Sequence, residues 1–216
     1  MARVLIGCSY SAAERDAFRA LGHDAWSCDW EEECEGDPRW HIKADVLTIL
    51  DRGWDFAIMH PTCTFMANSG SKHLYIGMRK ENGRNEKRWA QLREGAEFFG
   101  RLWDACEAAG IPAFVFENLI MHPAAKEIIG LGDQDQVVQP WWFGDPFFKA
   151  TCHWRYGAVP DLVPTNKLVP PKPGTDEHKA WSAVHRASPG PNRWKERSRA
   201  FPGLCAAEAA QWGGML

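Results

Sequence analysis

The stretch GWDFAIMHPTCTF, residues 53–65, sets a continuous apolar run against an abrupt polar stop. Phe56, Ala57, Ile58 and Met59 show no polar alternation, so they read as a short strand buried on both faces, as strands of a parallel sheet are. Pro61 has no N–H to donate and cannot extend helix or ladder, so the strand must end before it. Cys63 then stands just past a strand's carboxyl end, the edge of an open α/β sheet at which ligands bind. Two readings of this thiol stay open on the stretch alone: a small buried hydrophobe, the commoner fate of a free cysteine, or a group placed to meet a substrate.

Upstream, RVLIG at 3–7 reads as a buried strand, and a polar turn from Cys8 to Ser11 leads into a helix over 12–21 that Gly22 closes. DAWSC at 24–28 reads as a second strand. Asp29 at its end lies roughly 20 residues after the first turn, where α/β nucleotide folds put an acid to accept from ribose hydroxyls. The run Glu31, Glu32, Glu33, Glu35 and Asp37 that follows is a solvated face, and Asp29 read as part of it would be one more surface acid. Asp45 precedes a short helical pattern within 41–50 and could serve there simply as an N-cap.

Downstream, residues 68–93 are polar and basic, with Asn68, Lys72 and several further Lys and Arg broken by three glycines. Such a segment beside a site is either a lid or a solvated loop. A helix is expected over 89–109, with Leu92, Ala96, Phe99, Trp103 and Cys106 on one face. AFVF at 113–116 is another buried strand, and Glu117-Asn118 stand at its carboxyl end, on the same rim as Cys63. A turn and a helix cap are the alternative roles for that pair. After a helical stretch at 124–129, QVVQ at 136–139 and TCHWRY at 151–156 read as arms of an antiparallel hairpin, joined by PWWFGDPFFKA. Residues 160–191 are Pro-rich and expected to form an irregular, extended arm. RWKERSR at 193–199 interleaves Trp194 with Lys195 and Arg197, a combination suited to gripping phosphates and stacking on a base. A helix over 201–212 closes the pattern.

Length and composition bound these readings. A chain of 216 residues can bury one substantial core, and a formal charge of -3 gives no global polyanion-binding signature. Seven cysteines without a disulfide-like rhythm, and a start that enters a strand without a charged-then-apolar leader, lead to the expectation of a reducing cytoplasm. No run approaches the roughly 18 apolar residues of a membrane span. Metal binding through His23, Cys28, Cys34 and His41, or through Cys152-His153, lacks paired short Cys spacing, so no metal is expected. Twelve tryptophans exceed what core burial alone would use, and some are expected on a binding surface.

Taken in order, these rim residues resemble the methyltransferase half of the cytosine-5 DNA methyltransferases. DFAIMHPTC at 55–63 resembles the segment in which a strand leads to Pro-Pro-Cys. AGIPAFVFENL at 109–119, the most specific match, resembles the helix and strand ending in Glu-Asn-Val. KADV at 43–46 and FGDPFFKAT at 143–151 resemble the cofactor-adenine segment and a base-gripping Gly-x-Pro segment. The likeness extends over residues 3–156, and ANSG, KAT and PGPNRWKERSR also resemble short phage and prophage proteins of this type. It implies a Rossmann-like class I methyltransferase fold: a mixed, mostly parallel sheet with a C-terminal antiparallel hairpin over residues 1–158, and a Pro-rich basic arm and helix over 159–216 packed on it.

The resemblance further implies S-adenosylmethionine as cofactor, held by Gly7, Asp29, Asp45 and Pro61. DNA is the implied partner, in a bacterial host cell. Cys63 would attack carbon 6 of a cytosine or related pyrimidine, since carbon 5 is by itself a poor nucleophile. Glu117 and Asn118 would act at the ring nitrogen where charge develops. Lys149, Asn68, Lys72, Trp194, Lys195 and Arg197 would hold the substrate, with the 68–93 loop around an extruded base. The chain departs from the family at Thr62 for Pro, Thr64 for Gln, Lys149 and Thr151 for arginines, and GCSYSA for the glycine-rich first turn. Those departures suit two alternatives: an inactive phage-type protein that binds nucleic acid or a nucleotide, or the same chemistry on a free nucleotide. The segment at 60–63 also loosely resembles that of exocyclic-amine methyltransferases.

Overall fold

A computed structural model describes residues 1–32, 36–186, 190, 197–198 and 200–216. The first strand, β1 (Arg3–Gly7), sends Val4 and Ile6 into one hydrophobic cluster and Leu5 into another, so the sheet is covered on both faces. The deciding stretch behaves the same way. In β4 (Phe56–Met59) Phe56 and Ile58 face one cluster while Ala57 and Met59 face the other, and all four are buried.

Around these lie β2 (Asp24–Asp29), β3 (His41–Lys43), β5 (Phe114–Asn118), β6 (Gln136–Val138) and β7 (Thr151–Tyr156), in the seven-stranded order β3-β2-β1-β4-β5-β7-β6. Pairings from β3 to β5 are parallel, and β7 runs antiparallel to both β5 and β6. The order reverses direction between β1 and β4, which leaves a crevice outside their carboxyl ends.

On one face, α1 (Ala13–Ala20) and α6 (Pro202–Gly213) bring Phe18 and Trp212 to Phe56, with ring centroids 6.1 Å apart in both pairs. On the other, α2 (Glu86–Ala108) lays Phe99 against Phe116 and Trp103 against Phe114, each at 4.9 Å. All five positions expected on the inner face of α2 are buried. α3 (Pro123–Ile129) contributes Ala125 to the same cluster.

The structure departs from expectation in four places. His41–Lys43 is a strand, too short for its alternation to register in the sequence. The basic 68–93 stretch is a chain of short 3-10 turns, Asn68–Leu74, Ile76–Met78 and Lys80–Asn82, pinned by buried Leu74 and a Tyr75–Arg84 bridge. Asn85 caps α2 by accepting from Arg88 N, so that helix starts at Glu86 rather than at Trp89. The Pro-rich arm is not irregular throughout: Thr175 caps α4 (Asp176–Trp181), and α5 (Ala183–Arg186) follows. Its earlier part is extended and bonded to the domain, with Asn166 N and Leu168 N donating to the Trp142 and Trp141 carbonyls.

Candidate functional site

Sheet register delivers the site's first pair. Met59 of β4 is level with Phe116 of β5, so the next residues, His60 and Glu117, leave the sheet side by side. His60 Nδ1 lies 3.1 Å from Glu117 Oε2, and its Nε2 lies 2.6 Å from Glu14 Oε2 at the start of α1. Burial works against charging His60, but the two carboxylates outweigh it and push its pKa up to about 10. Burial would likewise raise Glu117; Lys149, whose Nζ is 3.8 Å from Glu117 Oε1, together with His60 holds it well below the usual carboxylate range.

Asn118 is buried and fastens the turn. Its Nδ2 donates to Pro61 O at 3.0 Å and its Oδ1 accepts from Leu119 N at 2.9 Å, tying the exit of β4 to the exit of β5. Beyond Pro61 the Cys63 carbonyl accepts from Met66 N and Ala67 N, which closes the loop and leaves the thiol on a cavity wall. Burial pushes the Cys63 thiol up; Lys149 and Arg197 work in the opposite direction.

That cavity, of about 600 Å³, occupies the switch-point crevice. Cys63, Glu117, Asn118, Lys149 and Arg197 line one part; Cys8, Asp29, Trp30, Ala44 and Val46 line another. Asp29 ends β2, and burial pushes its carboxyl up although Glu31 N donates to Oδ1. Trp30 beside it is 68% exposed, an aromatic face at the rim. An acid for a diol, an exposed indole and an apolar Ala44-Val46 wall fit the adenosine portion of a nucleoside cofactor.

The remaining expected residues fall differently. Pro61 lines the cavity. Gly7 is not among the lining residues; a Cβ there would collide with the Met59 sulfur, so close packing of β1 on β4 accounts for the glycine. Asp45 accepts from Leu47 N at 3.0 Å as the cap of the Val46–Thr48 turn, while its neighbours Ala44 and Val46 face the cavity. Asn68 lines a separate groove with Trp141 and Phe148, and exposed Lys72 lines neither cavity. Trp194 and Lys195 lie outside the described residues. Trp54, Trp103, Trp154, Trp181 and Trp212 are buried in the core, while Trp30 and Trp141 line the cavity and the separate groove.

Four further residues of this region, Glu14, His60, His153 and Glu208, were not singled out as site residues from the sequence. Glu14 and Glu208 are 3% and 2% exposed and line the cavity floor. A visible signal existed for Glu208, a lone acid inside the otherwise apolar run LCAAEAAQW. Among the described residues no cluster of three His, Cys, Asp or Glu side chains is arranged to hold a metal ion. Nor is any described helix long and apolar enough to cross a membrane.

The strand order, the reversed β7 and the crevice between β1 and β4 define a Rossmann-like class I methyltransferase fold. Among solved structures, the chain is similar to a protein described as a DNA modification methyltransferase encoded within a prophage (E. coli), with a TM-score of 0.45 and 16% identity. The match covers 72% of this chain and 46% of that protein, so it spans less than half of that protein's length. No protein-family model and no curated protein matches the sequence.

Proposed function

We propose that this protein transfers a methyl group from S-adenosylmethionine to carbon 5 of a cytosine or related pyrimidine in DNA, with Cys63 as covalent nucleophile. The observation that carries the proposal is convergence: Cys63, Glu117, Asn118 and Lys149 share one cavity with Asp29 at the switch point of the sheet. When bound, S-adenosylmethionine supplies the electrophilic methyl group. Asp29 would accept from its ribose hydroxyls, with Trp30, Ala44 and Val46 against its adenine.

On the substrate side, Cys63 adds to carbon 6 as the thiolate, a form that Lys149 and Arg197 favour. Glu117 faces the ring nitrogen and exocyclic amine, where positive charge develops. Asn118 acts by holding Pro61, and through it the nucleophile's loop. Lys149, which stands where the resembling family has arginine, bridges the two working groups as a point charge.

Nucleoside analysis of DNA after incubation with the protein and cofactor tests this directly. 5-Methylcytosine is expected, and its absence from Cys63→Ala samples. A parallel reaction on deoxycytidine monophosphate separates a polymer from a free-nucleotide substrate.

A second reading, binding without chemistry, draws on one observation: burial favours the protonated Cys63 thiol. Calorimetric heat with DNA or a nucleotide, and none with S-adenosylmethionine, would support it and sink methyl transfer.

A further inference from the structure

Resting on the methyl-transfer reading, we propose that His60, clamped between Glu14 and Glu117, delivers the proton that the pyrimidine ring nitrogen takes when Cys63 adds.

The geometry is a line of charged groups. Glu14 Oε2, His60 Nε2, His60 Nδ1 and Glu117 Oε2 follow one another with gaps of 2.6 and 3.1 Å either side of the ring, and Lys149 Nζ continues the line 3.8 Å from Glu117 Oε1. An imidazole between two carboxylates donates to both only when doubly protonated. Glu117 without a proton is an acceptor alone, so it can give one to a ring nitrogen only after receiving one, and His60 Nδ1 at 3.1 Å is nearer to it than Lys149 Nζ at 3.8 Å.

Behind the ring, Glu14 Oε1 is buried and has no N–H or hydroxyl donor among the described residues. Burial first, and then the neighbouring Glu14, push the Glu208 carboxyl well above the usual carboxylate range.

The other titratable groups facing the cluster leave the assignment intact. His153 of β7 is 3.7 Å from Glu208, and burial lowers it to about 4, so it stays neutral. Burial raises the Cys205 thiol far above its ordinary value, and Lys149 and Arg197 sit on the Cys63 side.

The step balances without any redox partner. Cys63, its proton already lost to solvent, forms the S–C6 bond; the C5=C6 pair shifts to C4–C5, and the C4=N3 pair moves to N3. The proton on His60 Nδ1 passes to Glu117 and from Glu117 to N3, leaving neutral imidazole. When the sulfur leaves, the proton returns along the same route.

Two measurements decide the proposal. Ring ¹⁵N NMR of the wild-type protein should find both His60 nitrogens protonated at neutral pH, with a midpoint near 10; titration near the ordinary 6.5 overturns the relay. Exchange of the cytosine C5 hydrogen in heavy water, with DNA or deoxycytidine monophosphate and no methyl donor, reports sulfur addition alone. His60→Ala should slow it about 100-fold, with added imidazole restoring at least roughly tenfold. A folded His60→Ala protein that exchanges at the wild-type rate, or a loss that imidazole does not restore, overturns delivery by His60. Wild-type exchange with a neutral His60 defeats the relay alone. No wild-type exchange on either substrate defeats the methyl-transfer reading and the delivery step with it.

Discussion

Glu117 has two cationic partners and sits almost out of solvent, so its charge is compensated from two sides. Removing that charge leaves Lys149 and the His60 imidazolium facing each other. Glu117→Gln should therefore destabilise the fold by about 3–5 kcal/mol, the usual cost of breaking a buried pair, seen as a lower urea midpoint. The pH dependence has a definite sign. His60 is raised from 6.5 to about 10 on folding, so its contribution is fully present below 6.5 and lost as pH rises through about 10. Glu117 is depressed, so its contribution is present above 4.5 and lost as pH falls toward its folded value. The difference in urea midpoint between wild type and His60→Gln should narrow from neutral pH to alkaline pH; a constant difference would contradict the His60 assignment. At this scale the sequence was legible for Cys63, Glu117 and Asn118, because a strand end gives a residue an address. It was illegible for Glu14: burial of a charge on an amphipathic helix depends on what packs above it.

At the scale of elements, two contacts set how precisely the site is held. Asp145, within the segment that resembles a base-gripping element, accepts from Gly203 N at 3.2 Å and from Leu204 N at 3.0 Å. It thus caps α6 across 58 residues of chain, and α6 carries Glu208 to the cavity floor. Asp145→Ala should cost about 1–2 kcal/mol, as loss of an N-cap does, read as a lower thermal midpoint. The second contact is Asn118 on Pro61. Asn118→Ala removes the tie between two strand exits and leaves the Pro61 carbonyl unpaired in a buried setting, at about 1–3 kcal/mol. Slower Cys63 alkylation or hydrogen exchange unchanged around residues 60–66 would argue against Asn118 as the clamp of that loop. Elements with long apolar runs, such as β1, β4 and β5, were readable because burial on both faces leaves no polar position. β3 and α4 were not, since three and six residues carry too little periodicity and the surrounding prolines speak for irregular chain.

Across the whole molecule, a parallel sheet that reverses its winding between β1 and β4 makes one crevice, and separate chain segments deliver charged or reactive groups into it. The rim could be inferred from sequence because parallel strands all end on one side. The depth of the crevice could not: its floor comes from α6, more than 40 residues beyond β7. The same geometry puts Asp29 and Cys63 in one cavity, as the proposed transfer needs. The most direct measurement is intact mass after incubation with S-adenosylmethionine and an oligonucleotide carrying 5-fluorocytosine, followed by peptide mapping under denaturing conditions. A covalent conjugate on the Cys63 peptide, absent from Cys63→Ala, is the expected result; a protein that binds the cofactor and the oligonucleotide yet forms no such conjugate would contradict it.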